Sequence, residues 1–297
     1  MTLNQEPRRT YCLQPTTPKL SLPLGACDTH VHVFGPSSRF PFAASSNAIP
    51  ADAPKETLYA LHQRLGIQRC VIVQSAVHGF DNAASEDAIA HGAGRYLGVA
   101  LVPLNVSDVE LERMASVGFR GVRFNFMKHL AAAGSIEDIV AFTRRLAFFG
   151  MHLQVHFESD LIHGLAGPLA RSAVPVVIDH MGRVDASLGS EHADFVALRQ
   201  LMRNPLFRIK VSGIDRISPF EPGQAGPNYT SGIALAQLLV RDFPDRCFWG
   251  SDWPHPNHTH VPDDGGLVDA LQQIAPDPVV RELLLVRNPH DFYRFEA

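Results

Sequence analysis

From residue 26 onward the chain alternates between two kinds of segment. Short, β-branched-rich apolar runs bounded by Gly and Pro are separated by longer stretches with apolar residues at helical spacing. The apolar runs occupy 26–34, 70–76, 97–103, 121–126, 153–158, 175–181, 207–213 and 247–253. Helical patterns between them include 55–65, 107–117, 135–149 and 232–242, with N-cap candidates in Ser107 followed by Glu110 and Ser135 followed by Asp138. Strands that alternate with helices pair in parallel through right-handed crossovers. Eight such units predict an α/β fold of the (β/α)8 TIM-barrel type, a single catalytic domain over 25–297. An open doubly wound nucleotide-binding sheet fits less well, because no GxGxxG or P-loop pattern follows an early strand. Residues 1–24 are polar, carry Pro7, Pro15, Pro18 and Pro23, and read as an N-terminal extended arm. Two irregular Pro- and Gly-rich stretches, 218–230 and 257–266, read as loops over the barrel mouth.

Composition narrows the class. With 297 residues, 45% hydrophobic and 19% charged, the chain is globular rather than disordered. A net charge of −4, from 26 basic and 30 acidic residues, argues against a nucleic-acid or membrane-surface partner, which would need a basic face. Cys12, Cys27, Cys70 and Cys247 show no CxxC spacing, so neither a disulfide framework nor a zinc ribbon is indicated. No apolar run reaches the roughly 18 residues of a membrane span, and the start lacks a signal peptide's apolar core. The expectation is a soluble cytoplasmic protein whose oligomeric state the sequence does not set. The unusual count is 15 His.

In a barrel of this kind the active site lies at the C-terminal ends of the strands. The first run ends in Asp28-Thr-His30-Val-His32, and two His at i and i+2 on a strand point to one side, which suits one metal ion. Alone this pattern is weak, since about one HxH pair is expected by chance from 15 His. A second pair, His258-Thr-His260, falls in a loop and reads as ordinary exposed sequence. The fifth run carries His156, the sixth ends in Asp179-His180 followed by Arg183, and the eighth holds Ser251-Asp252. Each alone reads as a hydrogen-bonded core group. Four such groups at the ends of runs 1, 5, 6 and 8 mark one polar barrel mouth, costly unless a metal, a ligand or mutual hydrogen bonds compensate.

These segments resemble the amidohydrolase superfamily, in its branch containing 2-pyrone-4,6-dicarboxylate lactonase and sulfomuconolactone hydrolase. The resemblance is carried by DTHVHVFGPSSRFPF (28–42), VIVQSAVHGFDN (71–82), GVRFNF (121–126), VIDHMGR (177–183), FPDRCFWGSDWPHPN (243–257) and NPHDFY (288–293). It implies metal ligands at His30, His32, His156 and Asp252, with His180 polarising the substrate and Asp252 moving the water proton. The bridging Lys or Glu of binuclear members is absent from run 4, which reads Arg123-Phe-Asn125, so one divalent ion is expected, Zn first and Mn next. The pyrone-dicarboxylate lactonases work without metal and carry Tyr where this chain has His156. Operation without metal therefore stays open.

The resemblance also implies an anion pocket. Arg123, Arg183 and Arg216 stand in GVRFNF, DHMGR and SGIDRIS, where the lactonases hold substrate carboxylates. His129 stands where a second Arg is more common, and the Tyr expected after FPF is replaced within 46–48. His78 and His255 are candidate mouth-lining residues, and Asp179 and Ser251 candidate supports. An arginine fork suits a sulfonate as well as a carboxylate. The implied substrate is a small anionic lactone of aromatic catabolism, 4-sulfomuconolactone (giving maleylacetate and sulfite) by metal-activated water, or alternatively 2-pyrone-4,6-dicarboxylate without metal. Rival readings are a metal-dependent decarboxylase of the same superfamily and a barrel that binds an anion without catalysis.

Overall fold

The computed structural model describes residues 7–44, 50–127, 134–219, 229–258 and 260–296. Its centre is an 8-stranded parallel sheet whose spatial order is the sequence order. The strands are β1 (Cys27–Val31), β2 (Arg69–Val73), β3 (Tyr96–Ala100), β4 (Phe119–Phe126), β5 (His152–Phe157), β6 (Val176–Ile178), β7 (Phe207–Lys210) and β8 (Cys247–Phe248). The barrel closes where the chain after β8 lies against β1. There Thr29 N donates to Trp249 O (3.0 Å), His32 N to Trp253 O (2.7 Å) and Asp252 N to His30 O (2.8 Å). The fold is a (β/α)8 barrel, as the alternation of runs predicts.

Between the strands run α1 (Lys55–Leu65), α2 (Ala83–His91), α3 (Asp108–Ser116), α4 (Ile136–Phe148), α5 (Ile162–Leu169), α6 (Ala193–Met202), α7 (Ile214–Ile217) and α8 (Thr230–Asp242). Ser107 accepts from Glu110 N (3.2 Å) and Ser135 from Asp138 N (3.1 Å), so both N-caps form as the sequence predicts. The main core packs helices against the outside of the barrel. A second cluster fills its lower interior with Cys27, Val71, Val73, Leu97, Val99, Val177 and Phe248. Residues two apart on β2 and β3 share this inward face, as strand alternation requires. Tyr293 and Phe295 stopper its lower end.

Past β8, α9 (Asp264–Asp269) begins inside the stretch read as a loop, while 220–228 of the other predicted loop fall outside the described residues. Residues 8–20 run along this side of the barrel. Arg8 donates to His258 O (2.9 Å), Thr10 to Pro254 O, and Thr16 N to Asp263 (2.8 Å), while Lys19 N and Leu20 N donate to Asp269 (2.8 and 2.9 Å). The Tyr11 ring meets Trp253 edge-on at 5.1 Å.

Candidate active site

β1 brings His30 and His32 to the top of the barrel with their rings 5.1 Å apart. Asp28 Oδ1 accepts from both His30 N and Ser251 N (3.0 Å each), tying the strand end to the β8 loop. That loop turns through a left-handed backbone at Asp252 (φ 66°), an uncommon conformation for a side chain with a Cβ. The turn sets the Asp252 carboxylate among three imidazoles. Its Oδ1 lies 3.7 Å from His30 Nε2, 3.3 Å from His32 Nε2 and 3.6 Å from His180 Nε2.

Each imidazole is held from its other side. His32 Nδ1 donates to Val73 O (2.7 Å), which leaves Nε2 with its lone pair directed inward when the ring is neutral. His180 Nδ1 meets Ser212 Oγ at 2.9 Å, and His30 Nδ1 stands 3.2 Å from Asp179 Oδ1. Asp179 also accepts from Arg123 Nε (2.8 Å) and Gln154 Nε2 (3.2 Å). Lys210, fully buried, donates to Thr29 O (2.8 Å) and lies 3.3 Å from His30 Nδ1.

Burial pushes the His30, His156 and His180 pKa values well below the usual imidazole range, so these rings are neutral at neutral pH. Burial would raise the Asp252 carboxyl, but the Arg216 guanidinium and the surrounding histidines outweigh it and hold Asp252 well below the usual range. Asp179 is likewise lowered, by Arg123 and Lys210 against burial. Lys210 is brought down to about 8 by burial.

The donor set fits a metal ion. Two ligands about 2.1 Å from a tetrahedral ion stand about 3.4 Å apart, against 3.3 to 3.7 Å between Asp252 and the imidazoles. His30 Nε2 and Asp252 Oδ1 are buried and have no hydrogen-bond partner. The ligand atoms of His30, His32 and Asp252 converge within 4.8 Å of one another, as do those of His30, Asp179 and His180. His156 belongs to neither group. Its ring crosses that of His180 at 5.4 Å, Nδ1 faces Asn125 Oδ1 at 3.3 Å, and its buried Nε2 has no partner.

The other candidates divide sharply. Arg216 donates through Nε to Asp252 Oδ2 and through Nη2 to Pro256 O (2.9 Å), so it braces the carboxylate. Arg123 is 5% exposed and bound to Asp179. Arg183, partly buried on a left-handed backbone (φ 55°), donates no hydrogen bond among the described residues, and burial lowers its pKa. His78 spends both ring nitrogens on the loop before α1, donating to Pro41 O (3.1 Å) and accepting from Gly35 N (3.2 Å). His255 is buried, with Nε2 donating to Asp264 (3.0 Å), rather than lining the mouth. His258 is 5% exposed, which corrects the reading of that pair as exposed sequence. His129 and residues 46–48 lie outside the described residues. Lys210, Gln154 and Ser212 are site residues that the sequence reading missed; a Lys in the middle of an apolar run was the signal for the first.

Comparison with known proteins places the chain among relatives. A family model described as Amidohydrolase matches residues 27–295. The chain is 40% identical to a 2-pyrone-4,6-dicarboxylate hydrolase of Comamonas testosteroni, over 94% of this chain and 93% of that one. It is 38% identical to a 4-sulfomuconolactone hydrolase of Hydrogenophaga intermedia, over 90% and 88% respectively. Among solved structures, a probable 2-pyrone-4,6-dicarboxylic acid hydrolase of Acinetobacter baumannii with citric acid bound superposes with a TM-score of 0.79. It is 27% identical, and the match covers 92% of this chain and 100% of that one.

Proposed function

The chain belongs to the amidohydrolase family, and we propose that it is a lactone hydrolase that opens a small anionic lactone, with 4-sulfomuconolactone as its substrate. The observation that carries the reading is the ionised Asp252 carboxylate enclosed by three imidazoles, with the Arg183 guanidinium uncommitted nearby. Asp252 accepts a proton from the attacking water as the water oxygen bonds to the lactone carbonyl carbon. In the tautomer that accepts from Ser212 at Nδ1, His180 carries its proton on Nε2 and donates to the developing oxyanion. The ring C–O bond then breaks, and Asp252 returns the proton to the departing oxygen. On a sulfomuconolactone the product is a hydroxysulfonate, which expels sulfite to leave a ketone. Arg183 holds the sulfonate or carboxylate through the step.

His30, His32 and Asp252 would hold one divalent ion, zinc or manganese, with His156 a ring further out. Such an ion would supply, when bound, Lewis acidity that eases deprotonation of the attacking water. A second reading, 2-pyrone-4,6-dicarboxylate opened without metal, is favoured by one feature. Arg216 and Lys210 already set a cation against each buried carboxylate, Asp252 and Asp179.

The deciding experiment is elemental analysis of protein purified without added metal, with both lactones assayed before and after chelation. About one zinc or manganese bound by the His30 cluster, with chelator-sensitive opening of the sulfonated lactone, supports the first reading. Chelator-insensitive opening of the pyrone diacid replaces it with the second. Stoichiometric CO2 release, or tight binding of lactone without turnover, would overturn both.

A further inference from the structure

A second cluster of ligand-type side chains lies behind the Asp252 loop and takes no part in the reaction above. Asp215 comes from α7, directly after β7, and His255 and His258 come from the chain after β8. Asp215, His255 and His258 are 3%, 0% and 5% exposed, and their ligand atoms lie within 4.8 Å of one another. The two imidazole rings stand nearly perpendicular, 5.6 Å apart.

The hydrogen bonds and ion pairs around the cluster leave two of its inner atoms, His255 Nδ1 and Asp215 Oδ1, uncommitted. His255 Nε2 donates to the buried Asp264 Oδ1 at 3.0 Å, so a neutral His255 carries its lone pair on Nδ1. That Nδ1 is buried and has no hydrogen-bond partner. A carboxylate that fixes one imidazole nitrogen and frees the other is the arrangement that orients histidines bound to metal. His258 Nε2 pairs with Asp215 Oδ2 at 2.8 Å, while Asp215 Oδ1 is buried without a hydrogen-bond partner. The loop that carries the two rings is fixed by its main chain: His255 N donates to Asp252 O (2.8 Å) and Arg8 to His258 O (2.9 Å). One carboxylate and two imidazoles, all buried, form a donor set suited to a zinc-type ion, and two buried aspartates supply the countercharge.

We propose that Asp215, His255 and His258 bind a second divalent transition-metal ion of the zinc type, which ties the β7 and β8 loops together beneath the active site. The site shares no ligand with the His30, His32 and Asp252 group, so it stands or falls independently of the lactonase reading.

The test uses the full chain, stripped with chelator, reloaded with zinc alone or manganese alone, dialysed, and measured for bound metal. The His30→Ala/His32→Ala variant, which lacks the active-site imidazoles, is expected to keep about one zinc per chain. Adding His258→Ala, or the gentler Asp215→Asn, is expected to remove it. Zinc retained equally after both additions would show adventitious binding and overturn the proposal, as would no zinc in the folded double variant. If the variants do not fold, anomalous scattering at the zinc edge from wild-type crystals decides: a peak among Asp215, His255 and His258 supports the site, and its absence there reduces the cluster to an ion pair between His258 and Asp215.

Discussion

The proposed mechanism concentrates the chemistry in one side chain, Asp252, and its neighbours sort the predictions. Asp252→Asn removes the proposed proton acceptor while keeping the shape. It is expected to lower kcat by more than about 100-fold with an unchanged circular dichroism spectrum; retention of more than a few per cent of activity would take Asp252 out of the proton path. The arginines should separate. Arg183 is uncommitted, so Arg183→Met is expected to raise KM by roughly 10-fold or more with little change in kcat, the signature of uniform binding. Arg216 is bonded to Asp252, so Arg216→Met should lower kcat as well, a split that steady-state kinetics reads directly. The places of His30 and His32 were legible from their spacing of two at a strand end, and those of His180 and Asp252 from following apolar runs, since the chain past each barrel strand collects polar groups. Lys210 was not, because a buried lysine depends on Asp179 and Thr29 O, brought to it from distant parts of the chain. Nor was the burial of His258, which follows from the approach of Asp215 and the main-chain clamp of Arg8.

At the scale of elements, the sequence read best where local chemistry decides. α1 has the bounds that its periodicity predicts, and α4 starts one residue after its predicted cap. Strand ends were less legible. The run 247–253 is only two residues of strand, because beyond Phe248 its backbone bonds irregularly to β1 and turns at Asp252 to present the carboxylate. Periodicity marks such a run as apolar and extended; where the ladder stops depends on the neighbouring strand. The caps offer a measurement independent of function. Ser135 accepts from Asp138 N and donates to its carboxylate (2.7 Å), so Ser135→Ala is expected to cost about 1 kcal/mol of stability. Urea unfolding should show this as a lower midpoint at constant m-value, and no shift would mean that water replaces the cap without loss.

Across the whole molecule, neutral buried histidines occupy both ends of the barrel, and they couple the fold to pH. At the lower end His152 sits beside Gly121 and packs its ring against Phe292 and Tyr293 at 5.0 and 5.4 Å. Burial takes its pKa down to about 3, whereas the unfolded chain keeps a value near about 6.5. Between those values the unfolded state binds a proton that the folded state refuses. The stability is therefore complete above about pH 6.5 and drains away as pH falls, by roughly 1 kcal/mol per pH unit from this group alone. His30, His156 and His180 are lowered in the same direction and add to the loss. The lowered carboxylates, Asp179 and Asp252, withdraw their support only below about pH 4, where unfolded Asp begins to protonate. The interval from pH 4 to 6.5 thus belongs to the imidazoles. His152→Leu separates the lower end from the active site, since it removes one of these groups without touching the barrel mouth. Measured by urea unfolding, the variant is expected to lose roughly 2 kcal/mol less than wild type between pH 7.5 and 5.0. Equal losses would mean that His152 accepts its proton in the folded state, and that the acid sensitivity of this barrel resides at its catalytic end.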